Sequence, residues 1–173
     1  MIRDILIVDG YNMIGAWPML RELAEQDLEA ARDRLIDMLA EYQGFTGRKV
    51  LLVFDAHQVP GLGARLRQSR IEVLYTREKE TADECIERLV SQLSGGAAKV
   101  YVATSDHVEQ RVVFGKGALR LSARELLYQI EENRRQISQR IRRNAAVDSR
   151  NTFDARLDDD IRDLFERWRR GET

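Results

Sequence analysis

Short uninterrupted apolar runs alternate along this chain with longer segments in which apolar residues recur every three or four positions. Ile5 to Val8 is one such run and stops at an Asp-Gly pair, the pattern of a buried strand followed by a turn. Leu28, Ala31, Leu35, Met38, Leu39 and Tyr42 lie at helical spacing, so an amphipathic helix is expected there, broken by Gly44 and Gly47. Lys49 to Asp55, KVLLVFD, reads as a second buried strand that again ends in an acid. Ile71 to Thr76 reads as a shorter third strand, and ADECIERLVSQL as a helix with Ala82, Cys85, Leu89 and Leu93 on one side, closed by Gly95 and Gly96. Lys99 to Asp106 predicts a fourth strand, followed by a short helix from Val108 and a short strand near Ala118 to Leu121. Ser122 with Glu125 fits a capping box for a last long helix, whose stripe holds Leu126, Leu127 and Ile130.

Strands alternating with helices predict an α/β fold: right-handed crossovers, a mostly parallel sheet and helices on both faces. Residues 1–143 are expected to form that domain. In 144–173 the pattern changes: NAAVDSRNTFD has no clean period and reads as a linker, while Leu157, Ile161, Leu164, Phe165 and Trp168 return to helical spacing. This helical tail is expected to pack on its own domain, on a second copy in a homo-oligomer, or on an external partner.

Composition narrows the class. The chain has 173 residues, 43% hydrophobic and 33% charged, which suits a folded, highly charged domain. Its apolar runs are too short for a membrane span or a signal-peptide core, so a cytoplasmic protein with no membrane partner is expected. Cys85 is the only cysteine, which excludes an internal disulfide and a multi-cysteine zinc site; a buried structural role is expected for it. A formal net charge of -1 does not announce a nucleic-acid binder. Charge is unevenly spread, however, with Arg134, Arg135, Arg140, Arg142 and Arg143 clustered late in the chain.

The candidate chemistry lies in the acids. Ligands of open parallel sheets bind outside the carboxyl ends of the strands. Asp9, Asp55 and Asp106 follow strands, and Asp83 opens the helix after the third strand, so all four are expected on one rim. Each alone is an ordinary turn or cap residue. Together they would repel one another unless a cation or protons neutralise them. Mg²⁺ or Mn²⁺, with oxygen ligands and retained waters, suits such a set, and divalent metal held by acids suits phosphodiester hydrolysis. His57 and His107 have no compact His or Cys set with which to complete a zinc site, and each reads as solvated or loop-packing. Glu84 fits a capping box with Thr81, while Thr104 and Ser105 fit either a helix cap or hydrogen bonds to bound water. No Walker loop or G-x-G-x-x-G is present. A receiver domain or a haloacid-dehalogenase-like phosphatase would want a closely spaced acid pair where this chain has VDGYN.

VDGYN, VFDAH, TADE and ATSD, in this order, with EVLYTREKETADECIE and GALRLSARELL around them, resemble the YacP-like NYN-domain ribonucleases of the PIN-like superfamily. The likeness runs from about Ile5 to Arg143. It implies a PIN-like three-layer α/β/α sandwich and a Mg²⁺- or Mn²⁺-dependent endoribonuclease that leaves a 5′-phosphate and a 3′-hydroxyl. Asp9, Asp83 and Asp106 would then be catalytic and metal-binding acids, Asp55 a further metal ligand, and Asn12 a neutral residue orienting substrate or an acid. The YacP-like group is associated with the ribosome, which implies cleavage of translated mRNA. A catalytically silent module that binds RNA or the ribosome is the alternative.

Single-stranded RNA needs cations for its phosphates and flat surfaces for its bases. Arg65, Arg67, Arg70, Arg111, Lys116 and Arg120 are the candidates near the rim, and Arg134 and Arg135 on the last helix. Tyr11 and Trp17 serve either as stacking platforms or as apolar cover for a loop.

Overall fold

A computed structural model describes the backbone of residues 3–58, 65–68 and 71–169, and the side chains of 3–57 and 71–147. Six strands form one sheet: β1 (Ile5–Asp9), β2 (Lys49–Phe54), β3 (Arg65–Gln68), β4 (Ile71–Tyr75), β5 (Val100–Ala103) and β6 (Leu119–Leu121). Its order is β3-β4-β2-β1-β5-β6, all parallel except β3, which pairs antiparallel with β4 at one edge. The helices are α1 (Gly10–Ala16), α2 (Pro18–Gln26), α3 (Leu28–Thr46), α4 (Ala82–Leu93), α5 (His107–Gly115) and α6 (Ala123–Arg169). Five parallel strands, the central ones buried, with helices on both faces confirm the α/β class and fit a PIN-like sandwich.

Two apolar cores sit on opposite faces, sorted by the two-residue period of the strands. Leu6, Val8, Val50, Leu52 and Phe54 pack with α1, α2, α3 and the start of α6 through Met13, Leu20, Leu35, Leu39 and Leu126. Ile7, Leu51, Val53 and Val102 face the other way, against Ile86 and Val90 of α4 and Val113 of α5. Asp9 continues the parity of Ile7, so β1 turns it toward the α4 and α5 side.

The chain leaves β1 for β2 and β4 on one side and returns to β5 and β6 on the other. The strand order therefore reverses between β1 and β5, the switch point where such sheets bind ligands.

Two helices follow β1 where the Asp-Gly pair predicts a turn. Asp9 caps α1 directly, accepting from the Asn12 N–H at 3.2 Å, and Pro18 begins α2 at a position where its missing N–H costs nothing. Gly10 is needed for a close approach rather than for an unusual dihedral: a Cβ there would overlap the Phe54 ring and meet the Val53 carbonyl oxygen at 3.0 Å. β3 has no counterpart among the strands expected from the sequence, because RLRQ has no apolar run and becomes a strand by pairing with β4.

The segment read as a linker, 144–154, is helical throughout, within α6. No Gly or Pro occurs between Ala123 and Arg169, and loss of apolar periodicity removes a buried face without breaking a backbone. By its internal contacts the chain divides into two compact units, Met1–Glu131 and Glu132–Thr173. Among the described residues no helix is long and apolar enough to cross a membrane.

Candidate metal centre

Three carboxylates converge at the switch point: oxygens of Asp9, Asp83 and Glu109 all lie within 4.8 Å of one another. Each arrives by a different local rule. Asp9 is delivered by strand parity and is 8% exposed. Asp83 stands in the first turn of α4, where the Thr81 hydroxyl accepts from the Glu84 N–H and the Glu84 carboxylate accepts from the Thr81 N–H. That reciprocal box occupies Glu84, leaving Asp83 as the acid of this turn that joins the cluster.

Glu109 is the third residue of α5 and is not singled out by the sequence, where attention falls on acids that directly follow strands. The Asp106-x-x-Glu109 spacing predicts another capping box, like Thr81 with Glu84 and Ser122 with Glu125. Half of that box is missing, because the Asp106 N–H is held by the Thr104 hydroxyl at 3.2 Å. Glu109 turns inward instead. It is 3% exposed, and its carboxylate oxygens are buried with no well-formed hydrogen bond among the described residues, the Thr104 hydroxyl and the Asp83 carboxyl being close enough to act on its charge.

The remaining candidates hold different positions. Asp106 is the N-cap of α5, accepting from the N–H groups of Val108 at 2.7 Å and Glu109 at 3.3 Å. It lies outside the three-carboxylate group, although its charge raises the pKa of both Asp9 and Asp83. Asp55 accepts from the His57 N–H at 2.9 Å and pairs with its ring Nδ1 at 2.8 Å. Burial raises the Asp55 carboxyl, but these His57 contacts and the Ala82 N–H bring it below its usual value. Asn12 is committed to holding the rim together: its side-chain oxygen accepts from the Ser105 N–H at 2.8 Å, joining the start of α1 to the loop after β5.

Burial and mutual repulsion set the electrostatics. Loss of hydration pushes Asp9 to about 6, opposed by the Asn12 N–H and aided by the charges of Asp83, Asp106 and Asp55. Burial pushes Glu109 to about 8, opposed by the Thr104 hydroxyl and aided by Asp83 and Asp9. Asp83 is raised by burial and then by Asp106. Three oxygen-donor acids, two buried oxygens without a well-formed hydrogen bond, and no nitrogen or sulfur in the group fit a hard divalent cation.

The cationic and aromatic candidates separate. Arg111 and Arg120 are exposed and line one cleft beside α5. Lys116 instead pairs with Glu87 at 3.4 Å and with the Ser91 hydroxyl at 3.3 Å. Arg65 and Arg67 lie on β3, described in backbone only, and Arg70 lies outside the described residues. Arg134 and Arg135 belong to the second unit, where Arg135 pairs with Glu132 at 3.8 Å. Trp17 is a core residue, 1% exposed, with its indole N–H on the Ala123 carbonyl oxygen at 2.8 Å. Tyr11 packs on Phe54 with ring centroids 5.1 Å apart and accepts from Arg32 at 3.1 Å.

Comparison with known proteins identifies the family of the chain. The YacP-like NYN domain family matches residues 6–170. The chain is 49% identical, over 98% of each sequence, to a Bacillus subtilis (strain 168) protein described as uncharacterized protein YacP. It is also similar to the crystal structure of Rae1 (YacP) from Bacillus subtilis, with a TM-score of 0.74, 49% identity and coverage of 98% of this chain and 96% of that one. A mutant of the same protein matches with a TM-score of 0.74 and 51% identity over 83% of this chain and 84% of the other. The family fold is of the PIN-like nuclease type, which supports a nuclease-type role. With VDGYN, TADE and ATSD placed around one acidic centre, the chain belongs to the YacP-like NYN domain family.

Proposed function

We propose that this protein is a divalent-metal-dependent endoribonuclease that hydrolyses phosphodiester bonds of single-stranded RNA, its substrate being mRNA on the ribosome. The observation that carries the reading is the convergence of Asp9, Asp83 and Glu109, with both Glu109 oxygens buried and without a well-formed hydrogen bond among the described residues, at the switch point of a nuclease-type fold. Bound Mg²⁺ or Mn²⁺ would supply charge neutralisation for the phosphate and a more acidic water. The protein supplies the rest. Asp9, Asp83 and Glu109 hold the cation, while Asp106, exposed at the rim with Oδ1 on two backbone N–H groups, takes part through water. Asn12 fixes the loop that carries Ser105 and Asp106 relative to Asp9. Attack by water on phosphorus, with departure of the 3′ oxygen, leaves a 5′-phosphate and a 3′-hydroxyl.

The test is incubation of purified protein with end-labelled single-stranded RNA, and in parallel with a translation reaction whose mRNA ends are mapped, in Mn²⁺ or Mg²⁺. Cleavage should be abolished by EDTA and lowered by more than about 100-fold in Asp9→Asn, which removes a charge at the centre. Equal cleavage by wild type and Asp9→Asn would remove this site from the chemistry. Ribosome co-sedimentation without cleavage in either reaction would favour the silent binding module.

A further inference from the structure

The cleft beside α5 has a composition that the acidic centre does not use. It encloses about 490 Å³ and is lined by His107, Gln110, Arg111, Phe114 and Arg120. Four of these lie at i, i+3, i+4 and i+7 on a nine-residue helix, so they form one stripe, and Arg120 faces them from β6. The helix is anchored by Val113, which is fully buried, and by Gln110 at the floor of the cleft, which is 6% exposed and donates to the Thr104 carbonyl oxygen at 2.6 Å. Phe114 is therefore not needed to hold the helix down, and it remains 65% exposed.

We propose that this cleft is a nucleotide subsite, in which one base of single-stranded RNA stacks on the Phe114 ring and an adjoining phosphate lies between the Arg111 and Arg120 guanidinium groups. This rests on the reading that the substrate is RNA and names where part of that RNA is held. Charge complementarity selects the occupant. Among the described residues the lining has two guanidinium groups and no acid, and Arg111 has no ion-pair partner. Arg120 has some attraction to Glu125, whose carboxyl is held down first by the Ser122 N–H and hydroxyl. An occupant with a flat π-face and a fixed negative charge one bond-chain away satisfies the ring and the cations together. A volume of this size suits a nucleotide rather than an extended protein surface.

The same helix ties the subsite to the chemistry. Glu109 enters the acidic centre from α5, and Phe114 follows five residues later, about 8 Å along the axis at the helical rise. That is about two nucleotides at stacked spacing. A base seated on Phe114 would thus fix which phosphodiester reaches Asp9, Asp83 and Glu109. Gln110 is 6% exposed and spends one amide N–H on the Thr104 carbonyl oxygen, so stacking on Phe114 is the main way this subsite holds a base.

The experiment uses full-length protein and a set of single-stranded oligoribonucleotides carrying 2-aminopurine at successive positions. Binding is followed on an Asp9→Asn background, and cleavage of the same RNAs on the native background in Mn²⁺. One position, or two adjacent ones, should show quenched fluorescence, at a constant distance from the bond that the native protein cuts. Phe114→Leu should abolish the quench and weaken binding roughly 5- to 100-fold, while Phe114→Trp restores both. Arg111→Gln and Arg120→Gln should each reduce the salt dependence of binding by about one phosphate contact. The proposal is overturned if RNA does not bind, if no position is quenched, if Phe114→Leu keeps the quench, or if an oligoglutamate rather than RNA binds in a Phe114-dependent way. Native cleavage with unchanged KM and cut sites in Phe114→Leu removes the subsite and leaves the nuclease reading standing. A Phe114-dependent quench in a protein that cuts neither free nor translated RNA does the reverse.

Discussion

Glu109 concentrates the cost of the site in one residue. A carboxyl buried among Asp9 and Asp83 takes up its proton near pH 8, whereas an unfolded chain releases it near pH 4.5. Between those values the folded state holds more protons than the unfolded state, so metal-free stability should fall as pH rises from about 4 to about 8. Asp9, shifted to about 6, adds to the same slope. In EDTA, Glu109→Gln should flatten this fall and raise stability at pH 8 by on the order of 3 kcal/mol, given about 1.4 kcal/mol per pKa unit shared among coupled acids. Thermal melts at pH 5, 6, 7 and 8 measure it; parallel slopes for both proteins would mean that Glu109 titrates as an ordinary acid. Adding Mn²⁺ at pH 7 should stabilise the native protein much more than the variant, since a cation that binds only the folded state adds stability in proportion to its affinity.

At the scale of elements, the start of α5 decides whether Glu109 caps a helix or meets a cation. Thr104 is fully buried, accepts from the Asp106 N–H and thereby blocks the reciprocal box that Thr81 and Glu84 complete on α4. Thr104→Val removes that acceptor, and the Asp106 N–H then becomes available to the Glu109 carboxylate. Divalent-cation affinity should fall about 10- to 100-fold, as for other residues that orient a metal ligand. Stability should change by only about 1 kcal/mol, because one hydrogen bond replaces another. Thr104→Ser, which keeps the hydroxyl, should bind the cation like the native protein. Calorimetric titration with Mn²⁺ distinguishes these; equal affinity in the Val variant would show that Glu109 is held by its own packing.

Across the whole molecule, both apolar cores close within the first unit, using residues from Leu6 to Ile130. The domain boundary that we propose is therefore testable by a chain ending at residue 143. This fragment should unfold in one cooperative transition and gain the same stabilisation from Mn²⁺ as the full chain, read by circular dichroism with and without the cation. A fragment with no cooperative transition would place part of the core's support beyond residue 143.

The positions along the chain of β1, β2, β4 and β5 were legible because strands buried on both faces leave short apolar runs, and those of α3, α4 and the start of α6 because burial on one face leaves a period of three to four residues. The acids that end β1 and open α4 were legible for a related reason, since strand ends before turns and first helical turns attract Asp. α1 and β3 left no such trace: one is seven residues capped by a residue that also reads as a turn, and the other becomes a strand through pairing with β4. Residue type alone makes Asp9, Asp55, Asp83 and Asp106 comparable candidates. Only tertiary structure separates them, because a carboxylate's role depends on which donors reach it first: His57 occupies Asp55, backbone N–H groups occupy one oxygen of Asp106, and Thr104 denies Glu109 its cap and leaves it facing Asp9 and Asp83.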